Sequence, residues 1–140
     1  MSVSPVSEFK LDERLQQDCI LIEEQDEFIV LLMNNALVPW IVLVPKTTET
    51  EFYQLEPSLQ QTCLEKVNRY SRFLKDELQV DKINVATIGN IVSQMHIHIV
   101  GRRTTDPAWP GVVWGMKEKR AYTENEHAKM SKKIQRLDSI

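Results

Sequence analysis

The segment Gln94-Met95-His96-Ile97-His98-Ile99-Val100 holds two of the chain's three histidines, spaced two residues apart in an otherwise apolar run. Alternation along a strand puts Gln94, His96 and His98 on one face and Met95, Ile97 and Ile99 on the other. An imidazole, with an unperturbed pKa near about 6.5, keeps a lone pair available at neutral pH. An HxH strand also supplies two imidazoles to zinc or iron, but such a site needs further ligands. Neither His127 in the basic tail nor Asp106 stands at a spacing that completes one. A solvated sheet face with no ligand is the third reading of the same pattern.

The elements around this segment must decide what the histidines face. Residues 11–18 suit a short helical turn. Ile20–Ile22 and Phe28–Met33 read as adjacent antiparallel strands separated by the charged run Glu23–Glu27. Asn34–Pro39 interrupts the apolar pattern, and Trp40–Val44 resumes it as a third strand up to Pro45. From Pro57 to Leu78 the period changes: Leu59, Cys63, Val67, Tyr70, Leu74 and Leu78 recur at steps of three or four, with Pro57 suited to a first helical turn. Further strands fit Lys82–Ile88, ended by Gly89, and Val92–Val100, ended by Gly101. Residues 102–116 read as an ordered irregular arm, in which Trp109 and Trp114 require burial on this sheet or on a partner subunit. A last helix is expected over Lys117–Leu137. The pattern predicts an α+β fold: an antiparallel sheet of about five strands, one long helix packed on it and a C-terminal helix. Residues 1–140 form a single domain in this reading, with 102–140 as its C-terminal arm and helix.

The histidine segment resembles the motif of the histidine-triad (HIT) family of nucleotide hydrolases and transferases, His-φ-His-φ-His-φ-φ with φ apolar. Gln94 stands at the first histidine. The resemblance is closest to the bacterial diadenosine-tetraphosphate hydrolase-like branch, where Gln is frequent there and where the continuation reads like Gly101-Arg102-Arg103-Thr104-Thr105-Asp106-Pro107-Ala108-Trp109-Pro110-Gly111-Val112-Val113-Trp114-Gly115. Leu43-Val44-Pro45-Lys46 and Asn84 extend the likeness, which spans roughly residues 9–116.

The resemblance implies that His96 attacks the α-phosphate of a nucleotide and forms a covalent nucleotidyl-histidine that water then releases. A backbone carbonyl would fix the tautomer of His96, while His98, Asn90 and the amide of Gln94 hold phosphate oxygens. Asn84 would lie near phosphate or ribose. Asn34 or Asn35 falls in the loop where the family has an acidic ribose-binding residue, although an amide capping a turn explains either one. Arg102 and Arg103 could attract polyphosphate. Two departures stand out. Gln94 cannot carry a proton as imidazolium does, and Ile91 replaces a phosphate-binding hydroxyl. Slow or retuned turnover is one expectation; a nucleotide-binding or interaction protein with little turnover is the alternative, followed by a metal-dependent HxH enzyme.

Composition bounds these readings. At 140 residues, with 42% hydrophobic and 26% charged positions, the chain has an ordinary globular makeup. Cys19 and Cys63 form no CxxC pair. No apolar run approaches the roughly 20 residues of a membrane-spanning helix, and MSVSPVSEFK does not read as a secretory leader. A cytoplasmic protein with no cofactor is expected. Residues 1–60 carry 3 basic and 11 acidic groups and residues 101–140 carry 9 and 5. The basic tail fits either a solvated helix face or proximity to an anionic ligand. No basic motif is interleaved with aromatics, so no nucleic-acid partner is implied. A nucleotide ligand and a homodimer are the expected partners.

Overall fold

The computed structural model describes residues 8–138. The N-terminal stretch considered for a leader lies, through Ser7, outside them. Five antiparallel strands form one sheet: β1 (Cys19–Glu24), β2 (Phe28–Met33), β3 (Trp40–Pro45), β4 (Lys82–Ala86) and β5 (Ile97–Arg102), in the spatial order β1-β2-β3-β5-β4. The helices are α1 (Glu13–Asp18), α2 (Pro57–Asp76) and α3 (Glu124–Leu137). This is the expected α+β architecture.

The near-continuous apolar runs of β2 and β3 have a direct cause, since both faces of the sheet are covered. On one face Phe28, Val30, Leu32, Ile41, Leu43, Ile97 and Ile99 meet α2 through Cys63, Val67, Tyr70, Phe73 and Leu74, with Ile134 of α3 beside them. On the other, Ile29, Leu31, Trp40, Val42, Val44 and Val100 meet Leu15 of α1 and Val113 of the arm. The arm therefore packs over its own sheet. Met95 joins the helix-side core, as the alternation requires.

Pro57 opens α2 at its first turn, where a missing N–H is no loss. The helix ends at Asp76 and not Leu78, because Gln79 takes a left-handed conformation (φ 56°) that turns the chain into β4. Helix α3 begins seven residues later than Lys117, at Glu124. Thr123 accepts from the Glu126 N–H and the Glu126 carboxylate accepts from the Thr123 N–H, a reciprocal cap that fixes the start. Residues 118–122 stay irregular because their backbone pairs with the 34–36 loop. The amide of Asn35 accepts from Arg120 N–H and donates to the Glu118 carbonyl, and Asn34 accepts from Tyr122 N–H. At the other end of α3, buried Asp138 accepts from Lys66, Arg69 and Tyr70 of α2. Burial alone would raise its carboxyl, but these donors outweigh it and hold it below the usual range.

Strand β5 departs from the expected Val92–Val100. Its first paired residue is Ile97, opposite Leu43, and its last is Arg102, opposite Lys82. Gly101 lies inside the strand. A Cβ there would sit 2.7 Å from Val80 Cγ1 and 3.1 Å from Pro39 Cγ, so this position needs glycine for close approach and not for a turn. Gly101→Ala is expected to destabilise the fold by about 1–3 kcal/mol, the usual cost of overpacking. Urea unfolding of the variant against wild type measures it.

Candidate functional site

The sheet face opposite α2 opens at β5 into a cleft of about 460 Å³, within the range that accepts a nucleotide-sized ligand. His96 and His98 form its floor, 6% and 5% exposed. Leu15, Met33, Trp40 and Trp114 supply apolar walls, and the Gly89–Val92 loop forms one lip.

Each imidazole has one nitrogen occupied, and the two partners are chemically opposite. His96 Nδ1 lies 2.7 Å from the Gln94 carbonyl oxygen. A carbonyl only accepts, so this nitrogen carries the hydrogen, and in the neutral ring the lone pair stands on Nε2. For His98 the partner is the indole Nε1–H of Trp40, which donates to Nδ1 at 2.9 Å. An indole only donates, so His98 Nδ1 is bare and Nε2 carries the hydrogen. One ring thus offers a nucleophilic Nε2 and its neighbour, 4.8 Å away between centroids, an Nε2–H donor.

Register produces the second contact. Trp40 stands opposite Val100 and Val42 opposite His98, so Trp40 and His98 are diagonal neighbours on one face of β3 and β5. Trp114 completes an aromatic enclosure, edge-on to His98 at 5.4 Å and to Trp40 at 6.0 Å. Burial, assisted by the neighbouring His96, pushes the His98 pKa down from 6.5 to about 4.

The sequence-derived residues divide into two groups. His96, His98, Asn90, Ile91 and Asn35 line the cleft. Gln94 does not share their face: it precedes β5, its side chain accepts from Asp12 N–H and donates to the Lys10 carbonyl, and only its backbone carbonyl serves the site. Asn84 is on the His98 face of the sheet but away from the cleft, where it accepts from Arg102. Arg102, 2% exposed, is held in a two-pronged pair by Asp106 and cannot greet a ligand. Asp106, its carboxyl lowered chiefly by Arg102, also accepts from the N–H groups of Arg103, Ala108 and Trp109, which shapes the arm. Arg103 donates to the Leu78 carbonyl. Asn35 reaches the cleft wall, yet its amide is already committed to residues 37, 118 and 120, and that of Asn34 to residue 122.

Sequence reasoning missed Trp40 and Trp114 as site residues, and Arg14, Lys117 and Lys119 on the rim. The available signals were a tryptophan leading the strand before Val-Pro-Lys and the need of Trp114 for burial on the sheet. Among the described residues no group of three His, Cys, Asp or Glu side chains is arranged to hold a metal. Likewise no described helix is long and apolar enough to cross a membrane.

Residues 14–105 match the HIT domain family, and the chain belongs to it. A histidine triad protein from Marinobacter aquaeolei is 40% identical, with a TM-score of 0.87 over 92% of this chain and 95% of its own. A histidine triad protein from Sinorhizobium meliloti is 36% identical, with a TM-score of 0.88 over 94% and 98%. One from Bradyrhizobium japonicum is 35% identical, with a TM-score of 0.87 over 92% and 97%. No match is found among curated proteins.

Because the folded pKa of His98 lies below its unfolded value, the unfolded chain binds a proton that the folded chain refuses between pH 6.5 and about 4. Stability contributed by neutral His98 is therefore present above pH 6.5 and lost as pH falls through that window. Nitrogen-15 NMR of the imidazoles should show His98 neutral at pH 5, with hydrogen on Nε2 and none on Nδ1. An imidazolium at that pH contradicts the geometry.

Proposed function

We propose that the protein is a nucleotide hydrolase or nucleotidyl transferase acting at the α-phosphate of dinucleoside polyphosphates or related nucleotide conjugates, in the manner of the diadenosine-tetraphosphate hydrolase-like branch. The observation that carries this reading is the opposed tautomers of His96 and His98. His96 Nε2 attacks phosphorus and holds the nucleotidyl group, and water later releases it. His98 Nε2–H donates to a phosphate oxygen whose charge grows in the transition state. Asn90 lies on the cleft lip within the same loop as Ile91 and is the remaining polar side chain suited to phosphate. The apolar walls at Leu15, Met33 and Trp114 suit a base. Gln94 acts through its carbonyl alone. Asn84, Asn34, Asn35 and Arg102 are supports of the scaffold, and no cofactor enters this scheme.

A second reading, a nucleotide-binding protein with little turnover, is favoured by Ile91, 79% exposed on the lip with no polar group to offer. Equal nucleotide affinity in wild type and His96→Ala, with turnover in neither, selects it.

The whole chain, residues 1–140, is taken as one functional unit of a cytoplasmic protein. A homodimer is also proposed, since β4 is an edge strand carrying Val85 at 49% exposure, with Ile88 just beyond it at 40%. Light scattering at micromolar concentration should give about twice 16.3 kDa; a monomeric mass at every concentration sinks the dimer.

His96→Ala should remove the covalent step, with a loss of at least about 10²–10⁴-fold in turnover. His98→Ala should keep the nucleophile and lose one oxyanion donor, about 3–4 kcal/mol in the barrier. Mass spectrometry of quenched reactions should find a nucleotidyl adduct on His96 in wild type and none in His96→Ala. An adduct on His98, or undiminished turnover in folded His96→Ala, overturns the assignment.

A further inference from the structure

The cleft has donors but no positioned acid. His96 Nδ1–H is committed to the Gln94 carbonyl. His98 can take a second proton only on Nδ1, where it would face the Trp40 N–H head on inside a buried aromatic enclosure. A neutral imidazole N–H hydrogen-bonds to an oxyanion but does not surrender its proton near neutral pH. The Gln94 side chain is turned away toward residues 10 and 12. The other ionisable side chains on the cleft are Arg14, Asp18, Lys117 and Lys119, all exposed at its mouth. Three of these four are cations, and none of the three has an ion-pair partner among the described residues.

We propose that Trp40 is a positioning residue that keeps His98 a hydrogen-bond donor and not an acid, so that this site discriminates against nucleotidyl donors whose leaving group must gain a proton before it departs. The inference rests on the nucleotidyl-His96 reading and specifies its substrate class. In the first step the Nε2 lone pair of His96 forms a P–N bond, the P–O bond to the leaving group breaks, and the electron pair leaves on that oxygen. A terminal phosphate, with a second pKa near about 6, is stable there without a proton. Arg14, Lys117 and Lys119 supply matching positive charge at the mouth. Water then forms a P–O bond, the P–N pair returns to His96, and the water proton passes to solvent. A phosphoramidate follows the same path only if its nitrogen gains a proton before the P–N bond breaks, because an amine anion is far too basic to leave.

The test compares kcat/KM for two donors of the same adenylyl group, diadenosine tetraphosphate and an adenosine 5′-phosphoramidate of a simple alkylamine. Wild type should favour the anhydride by at least about 10²-fold, the low end of what a positioned acid supplies. Trp40→Phe keeps the packing and removes the N–H. It should narrow that preference, and its nitrogen-15 spectrum should show His98 gaining a proton at higher pH than in wild type. Equal kcat/KM for both donors in wild type overturns the leaving-group inference while the adduct on His96 stands. An unchanged preference and His98 spectrum in folded Trp40→Phe overturns the role of Trp40. If neither donor yields an adduct on His96, the nucleotidyl reading falls and this inference with it. The wild-type comparison and spectrum decide the matter even if the variant does not fold.

Discussion

A single hydrogen bond, from the indole of Trp40 to His98, ties the chemistry of the cleft to the pairing of β3 with β5. It exists only in the observed register, where Trp40 stands opposite Val100 and the two rings are diagonal neighbours. A slip of one residue would exchange the faces of β5, sending His98 toward α2 and Ile97 and Ile99 toward the cleft. The burial of those isoleucines against Cys63, Val67 and Leu74 opposes such a slip. Packing on one side of the sheet thereby sets proton positions on the other.

The same economy governs the polar residues around the site. A guanidinium with 2% exposure is tolerable only when paired, and Arg102 meets Asp106 through two nitrogens and Asn84 through a third. Asp106 in turn gathers three backbone N–H groups and sets the first bend of the arm. Asn34 and Asn35 do for residues 118–122 what Asp106 does for residues 103–109. Of these side chains only Asn35 reaches the cleft wall; the others shape the cleft from outside it.

The division between what was legible in the sequence and what was not follows the range of the interactions. Strands β1 to β3 are apolar runs bounded by charged or turn residues, helix α2 repeats a local period, and both were readable from that; the Thr123-to-Glu126 cap was a local signature available in the chain. Asparagine, glutamine and arginine look alike in sequence whether they meet a ligand or a distant backbone. Gln94 meets residues 10 and 12, and Asn35 meets residues 118 and 120, at separations of more than 80 positions that no local pattern encodes. The late start of β5 has the same origin, since the chain before Ile97 is drawn off the sheet by the partners of Gln94. That His96 and His98 share one sheet face was legible because their spacing matches the alternation of a strand. Their tautomers were not, because these depend on Trp40, 58 positions from His98, and on the bend that brings the Gln94 carbonyl to His96.

Two walls of the cleft come from opposite ends of the chain, Leu15 before the first strand and Val113 to Lys117 after the last. During synthesis the five strands are all made before the second wall leaves the ribosome. A chain ending near residue 105 would contain both histidines and all five strands but not Trp114, which encloses His98 on that side. The residues that enclose the two histidines on that side are thus synthesised after every strand that positions them, although they go on to cover the same sheet through Val113.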